Sequence, residues 1–210
     1  MRMALTMVHL LAADRWAKGH PEYGQDPGFF YGVISPDAIH IRDGNDKSHK
    51  NEIHLNNWGV PHPEDVIAYW QAHHAPFDIG YGVHVLTDAQ WVPRYRERLP
   101  EILLPSGLLN TDIYYNDTFV TDFRLYAAMP RLEELLSLIE GADTPADHPL
   151  LNEYEFSQWR KVTLEAYRGK CPFDRPVRFI DEKYVLDFVE DSVTMIDETF
   201  ARFARQSDFT

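Results

Sequence analysis

Hydrophobic residues recur at steps of three and four along most of the chain, whereas the alternation typical of half-buried β-strands is weak. The pattern predicts an all-α fold, a single-domain multi-helix bundle over residues 1–210. The predicted helices cover 6–16, 63–74, 77–99, 111–129, 130–139, 152–167 and 180–204, with turns at 141–145 and 169–172. The candidate site residues lie in the first part, 1–128, and the C-terminal helices follow over 130–210.

Two of the predicted helices carry polar side chains on a mainly apolar face. In the first helix, which Thr6 can cap, His9 lies on the same side as Ala13 and Trp16. In the segment 77–99, five residues share one face at steps of three and four: Tyr81, His84, Asp88, Trp91 and Tyr95. A proline at 93 can kink only the end of that helix.

A stretch of low periodicity runs from residue 37 to residue 63 and is rich in His, Asp and Asn. It follows a short apolar run, 29–34, that should stop at Ser35 because Pro36 disfavours a helical conformation in the residue before it. A loop of this length in a compact domain is usually functional or disordered. We therefore expect a long loop here that is one or the other.

The composition narrows the class of partner. The 210 residues include 33 acidic and 20 basic side chains, a formal charge of −13 that disfavours stable binding to nucleic acids or anionic membranes. One cysteine, Cys171, cannot form an internal disulfide and suits a reducing compartment. Because Asp14 and Arg15 interrupt the N-terminal apolar residues, we expect neither a signal peptide nor a membrane span, and a cytoplasmic location.

His84 and Asp88 stand one helical turn apart, so an imidazole nitrogen and a carboxylate can reach the same ion. The spacing alone is weak, because about one such pair is expected by chance in a chain of this composition. His74 and Asp78 repeat it, but a proline separates them. Since His84 and Asp88 lie among apolar residues, their burial requires either a cation or a hydrogen-bond network in the core.

Three further polar residues could join this pair. His9 lies on the first helix, Asp37 directly follows a proline, and His49 lies in the polar stretch. Each also has a simpler interpretation, respectively a packed core histidine, a helix N-cap and a solvated loop residue. Their spacing alone does not decide between these roles and metal binding.

The order of these residues is similar to that of the zinc-dependent phospholipase C family, which shares its helical fold with the single-strand-specific zinc nucleases. The matching stretches are MVHLLA (7–12), GVISPDA (32–38), KSH (47–49) and GYGVHVLTDAQW (80–91), with a weaker match over 114–126. The four main stretches lie within residues 7–91, under half of the chain.

The resemblance implies that one zinc is bound by Asp37, His49, His84 and Asp88, and that His9 holds a neighbouring ion that Asp88 bridges. One or two ions are expected, and nitrogen and oxygen donors of this kind also admit iron, nickel or manganese. The implied reaction is hydrolysis of a small phosphoester by water that the cation activates. Asp37 and Asp88 would be the catalytic carboxylates, with Asp37 acting as a general base or orienting the water.

The sequence departs from the family pattern at several points. Lys50 follows His49 where family members usually have an aromatic residue, and His54 is a rival to His49, which we take as the ligand. No histidine lies between Asp88 and His148, so the family's further ligands have no clear counterpart and a three-ion cluster is not expected. Candidates for a second ion or for contacts with the substrate are Tyr81, Tyr115, Asp112, Asp117 and Asp122.

Two other functions fit part of the pattern. A helical metal-binding bundle of the thiol-transfer or damage-induced type would use three histidines, His9, His54 and His84, and would not need Asp88. A non-catalytic binding module would instead line a groove with aromatic side chains such as Trp58, Tyr69, Trp70 and Trp91. The sequence argues against phosphohydrolases built on a contiguous His-Asp pair, because no histidine directly precedes an aspartate.

Overall fold

The computed structural model describes residues 6–44, 49–56 and 62–207. Within them the regular structure is helical, without a β-strand, and one isolated bridge joins Leu103 to Leu109. The all-α prediction is therefore confirmed. The α-helices are α1 (Thr6–Ala17), α2 (Pro27–Ile34), α3 (Ile39–Asp43), α4 (Lys50–Ile53), α5 (Pro63–Ala72), α6 (Pro76–Arg98), α7 (Thr111–Ala128), α8 (Pro130–Gly141), α9 (Glu153–Arg168) and α10 (Glu182–Ser207), with 3-10 turns at Ser35–Ala38 and Pro100–Ile102.

Most helices begin where the sequence supplies a proline or a capping side chain. Four of them, α2, α5, α6 and α8, have proline in the first turn, where its missing N–H costs nothing. Asn152 accepts a hydrogen bond from the Glu155 N–H at 3.0 Å, and the Glu155 carboxylate accepts the Asn152 N–H at 2.8 Å. These local signals explain why the helices predicted from residue 63 onward lie within a few residues of their expected bounds.

The expectation of an uninterrupted loop over 37–63 is wrong in the part that the structure describes. The apolar run is α2, and the 3-10 turn at Ser35–Ala38 leads directly into α3. A further short helix, α4, carries the chain back towards α6, where the Tyr81 hydroxyl contacts it. Helices of four or five residues are too short to show a 3.6-residue period, so the hydrophobic pattern could not predict them.

Helices α2 and α6 cross in direct backbone contact. A Cβ added at Gly32 would overlap the carbonyl of Phe77, and one added at Gly80 would overlap the carbonyl of Phe29. Only glycine permits this approach. The crossing brings the end of α2 against the first turns of α6, so that the Val33 carbonyl lies 2.8 Å from Nδ1 of His84.

One cluster of buried side chains extends from α1 to α10. In α10, Val185, Phe188 and Ile196 belong to this cluster and are fully buried. Tyr69, Trp70 and Trp91 are also buried, so they pack in the core and do not line an open groove, while position 58 lies outside the described residues. In the part of the chain that the structure describes, no helix is both long and apolar enough to cross a membrane.

Candidate metal centre

Three histidines and two aspartates converge from four separate segments. We call this group the His/Asp cluster: His9 on α1, Asp37 in the 3-10 turn, His54 at the end of α4, and His84 and Asp88 on α6. The first four are buried, whereas the Asp88 side chain keeps 22% of its surface exposed. The cluster is therefore internal, and Asp88 lies on its accessible side.

The two carboxylates are surrounded by imidazole nitrogens. Oδ1 of Asp88 lies 3.4 Å from Nε2 of His9, and Oδ2 lies 3.5 Å from Nε2 of His54 and 3.8 Å from Nε2 of His84. Oδ1 of Asp37 lies 3.6 Å from the same His54 nitrogen. Donors bound tetrahedrally at about 2.0–2.1 Å from zinc stand about 3.4 Å apart. The observed separations of 3.4–3.8 Å are close to this donor–donor distance, so the spacing is compatible with one shared ion.

Backbone carbonyls fix the orientation of two imidazoles. Nδ1 of His84 lies 2.8 Å from the carbonyl of Val33, and Nδ1 of His54 lies 3.1 Å from the carbonyl of Lys50. Because a carbonyl only accepts hydrogen bonds, both Nδ1 atoms carry the proton and both Nε2 atoms have a free lone pair. This carbonyl support is the usual arrangement behind metal-ligating histidines.

Several buried polar atoms of the cluster have no hydrogen-bond partner among the residues that the structure describes. They include Nε2 of His54, Nε2 of His84 and Oδ1 of Asp37. Unsatisfied buried acceptors are costly, and a cation would satisfy all three together. The residues present therefore fit a divalent ion with nitrogen and oxygen donors.

The cluster favours the protonation states that bind metal. Burial, reinforced by the neighbouring His9, lowers the pKa of His84 to about 3, so its imidazole is neutral at neutral pH. Burial alone would raise the pKa of Asp37, but His54, His84 and Lys50 hold it below its usual range. The pKa of Asp88 is lowered in the same way against the effect of burial, by His9 and Lys50. Both carboxylates are consequently ionised.

The donors form two overlapping groups, one of His9, His84 and Asp88 and one of Asp37, His54 and His84. His84 belongs to both, yet its Nδ1 is engaged with Val33, so its single lone pair can serve one ion only. Asp88, in contrast, presents different oxygens to His9 and to His54. The arrangement fits either one ion or two ions bridged by Asp88, the second with fewer protein ligands.

His49, which we expected as a ligand, is not brought into the cluster. It stands just before α4, with Nδ1 3.1 Å from Oδ1 of Asp43 and half of its side chain exposed. His54, its rival, reaches the cluster because it ends α4 on the side of Asp88. The four residues between the two histidines form α4 and place them at opposite ends of this short helix.

The candidate substrate residues have varied surroundings. The Tyr81 hydroxyl donates to the carbonyl of Ile53 at 2.6 Å, so this buried tyrosine ties α4 to α6 next to His54. Tyr115 is half-buried beside Tyr114, with ring centres 5.3 Å apart.

The three α7 carboxylates belong to neither donor group found in the described residues. Asp112 pairs with Arg175, and Asp117 accepts hydrogen bonds from backbone N–H groups of residues 178–180. Asp122 is buried, where it accepts hydrogen bonds from the Tyr167 hydroxyl at 2.9 Å and the Met7 N–H at 3.5 Å. Burial raises the pKa of Asp122 to about 7, so this carboxyl group is partly protonated at neutral pH, whereas Asp37 is ionised.

No family model, no curated protein and no solved structure matches this chain. The resemblance to the phospholipase C family therefore stays a prediction, and the interpretation of the cluster depends on its geometry.

Two neighbours of the cluster were not anticipated from the sequence. Nε2 of His40 lies 3.8 Å from Oδ1 of Asp37, and its Nδ1 lies 3.2 Å from the carbonyl of Gly44. Lys50, noted only as a departure from the family pattern, influences the charge of Asp37 and Asp88. Spacing could not have identified either residue, because the short helices α3 and α4 show no helical period in the sequence.

Proposed function

We propose that the chain is a metal-dependent hydrolase of small phosphoesters, similar in chemistry to phospholipase C. Zinc is the first candidate for the cation, and iron, nickel or manganese would also suit the donors. One observation carries the proposal: three imidazoles and two carboxylates converge, and two imidazole lone pairs with one carboxylate oxygen are buried without another partner. Such a set is expensive to maintain unless it binds a cation.

The solvent exposure of each cluster residue suggests its role in the proposed reaction. A bound dication lowers the pKa of water towards 7 and offsets charge on phosphoryl oxygens. His9, His54 and His84 are buried and act as donors, with two of them locked by backbone carbonyls. Asp88 is the partly exposed carboxylate, so it is better placed than the buried Asp37 to orient a water molecule or accept its proton. This assigns Asp37 mainly to the ligand role.

The test combines metal analysis with activity. Protein purified without chelators is analysed for metals, and hydrolysis of p-nitrophenyl phosphate and bis(p-nitrophenyl) phosphate is measured before and after removal of the metal and its replacement. We expect bound metal and hydrolysis that a chelator abolishes and the metal restores, with loss of activity in Asp88→Asn. Absence of hydrolysis under every metal supply would refute the enzymatic proposal.

A non-hydrolytic metal-binding bundle is the second candidate, because the three histidines alone form a compact group. The rings of His9 and His84 stack 3.8 Å apart, and the His54 ring meets His84 edge-on at 5.4 Å. In that case Asp88→Asn would keep its metal, and the wild-type protein would hydrolyse neither ester. The proposed hydrolase predicts instead that Asp88→Asn weakens metal binding, since Asp88 lies within 3.8 Å of all three imidazoles.

A further inference from the structure

Lys50 stands at the accessible side of the His/Asp cluster. It is the first residue of α4, and its carbonyl accepts the backbone N–H of His54 at 2.9 Å, which is the hydrogen bond of one helical turn. Residues four apart on a helix share a face, so the Lys50 side chain leaves α4 on the same side as the His54 imidazole. The side chain is partly buried, as is Asp88, and both therefore border solvent and the cluster.

The ammonium group of Lys50 interacts with the carboxylates of Asp37 and Asp88 but forms a close ion pair with neither. A lysine ammonium is charged at neutral pH, and the carboxylates of Asp88 and Asp37 are close enough to interact with it electrostatically. The nearest described ionisable partners of both carboxylates are imidazoles, at 3.4 Å for Asp88 and 3.6 Å for Asp37. A ligand beside Asp88 therefore meets a charged ammonium that has no close carboxylate partner among the residues that the structure describes.

The net charge of the metal-loaded cluster indicates what the Lys50 ammonium contributes. The two carboxylates contribute two negative charges and a dication would cancel them, which leaves a single-ion site neutral. The chain as a whole has a formal charge of −13 and repels anions. Lys50 adds a positive charge to a single-ion site that is otherwise neutral, and this charge favours binding of an anionic substrate. Tyr115 lies on the same side, close enough to affect the pKa of Lys50.

We propose that Lys50 forms an oxyanion subsite of the metal centre, where its ammonium binds a phosphoryl oxygen of an anionic phosphoester beside the cation held by the His/Asp cluster. The inference rests on the proposed function and deepens it, because it specifies a substrate that is charged at the phosphoryl group. A side chain that serves this role needs charge and reach, so arginine should replace it better than an isosteric apolar residue.

The experiment measures binding, not turnover. Inorganic phosphate is titrated by calorimetry into the cation-loaded wild-type protein and into Lys50→Met, Lys50→Arg and Lys161→Met, the last a control on the exposed face of α9. We expect Lys50→Met to weaken phosphate binding about tenfold or more, Lys50→Arg to retain it within a few-fold, and the control to match the wild type. Cation affinity of Lys50→Met should stay equal or rise, because the ammonium repels a dication.

The outcomes separate the two proposals. If loaded Lys50→Met binds phosphate as the wild type does, the subsite is overturned while the proposed function stands. If Lys50→Met loses the cation, Lys50 organises the cluster and does not hold an anion, which also overturns the subsite. A wild-type protein that binds no cation overturns the proposed function and the subsite with it.

Discussion

The imidazole rings of His9 and His84 stack in the protein interior, with their centres 3.8 Å apart and their planes inclined by 12°. Two positive rings at that distance would repel each other strongly in a medium of low dielectric constant, so both cannot be protonated. The contact therefore keeps at least one ring neutral, which is the form that binds metal. It also links α1 to α6 through the cluster itself.

Replacing His54 should remove the cation, whereas replacing His49 should not. Nε2 of His54 lies within 3.6 Å of both carboxylates, while His49 faces Asp43 outside the cluster. We expect His54→Ala to lower zinc affinity by tenfold or more and His49→Ala to change it little. Competition with a chromogenic chelator measures both. If His49→Ala lowered zinc affinity more than His54→Ala, His49 and not His54 would be the ligand.

A methyl group at the crossing of α2 and α6 should destabilise the bundle. In Gly80→Ala the new atom meets the Phe29 carbonyl, which belongs to a helix backbone and cannot move aside cheaply. We expect a loss of about 3 kcal/mol or more in the free energy of unfolding, measured by urea denaturation. Gly141→Ala is the matched control, because nothing lies within 4 Å of its added Cβ. If the two variants were equally stable, α2 and α6 would not be in the direct backbone contact described above.

His148 should make the protein sensitive to acid. Burial lowers its pKa to about 4 from the usual 6.5, and its Nε2 lies 2.8 Å from the Tyr69 hydroxyl. The folded state disfavours protonation of His148. The neutral imidazole therefore contributes its full stabilisation above pH 6.5, and this contribution is lost as the pH falls towards 4. The expected loss between pH 7 and pH 4.5 is about 2 kcal/mol.

Urea denaturation of metal-free protein at the two pH values measures this effect, and His148→Gln provides the comparison. Glutamine preserves much of the volume and a hydrogen-bonding group but does not titrate, so the variant should lose less stability than the wild type as pH falls. The same pH dependence in both proteins would exclude His148 as the cause.

Removing the Tyr81 hydroxyl should loosen α4 and with it His54. In Tyr81→Phe the buried carbonyl of Ile53 loses the donor that now lies 2.6 Å away. We expect a cost of about 1–3 kcal/mol in stability and weaker cation binding, although Tyr81 is not a ligand. Chelator competition and thermal unfolding of Tyr81→Phe measure both, with Tyr95→Phe on the same helix as the control. Unchanged cation affinity would show that α4 is held by other contacts.

The long helices could be predicted from the sequence because each has a sustained period and a local start signal. Helix α6 shows why this worked: Pro76 marks its first turn, and residues at steps of three and four share one face from Tyr81 to Tyr95. The same face carried His84 and Asp88, so their common direction followed from spacing alone. The convergence with Asp37 came from the resemblance, since no local rule joins segments this far apart.

The choice between His49 and His54 could not be made in the same way. It depends on how α4 is held against α6, which the Tyr81 hydrogen bond to Ile53 decides. A four-residue helix is too short to show a helical period in the sequence. A contact between residues far apart in the chain also produces no local sequence pattern. Lys50 was noted, but its proximity to the carboxylates depends on the same placement of α4.

The carbonyl that directs His84 belongs to Val33, the residue next to Gly32 at the tight crossing of α2 and α6. The contacts between α2 and α6 therefore both hold the two helices together and orient the His84 imidazole. Thermodynamic linkage follows: a cation that binds only the folded chain at 100 times its dissociation constant adds about 2.7 kcal/mol to stability. Any substitution that separates the two helices should weaken metal affinity in proportion, even when it lies far from every donor atom.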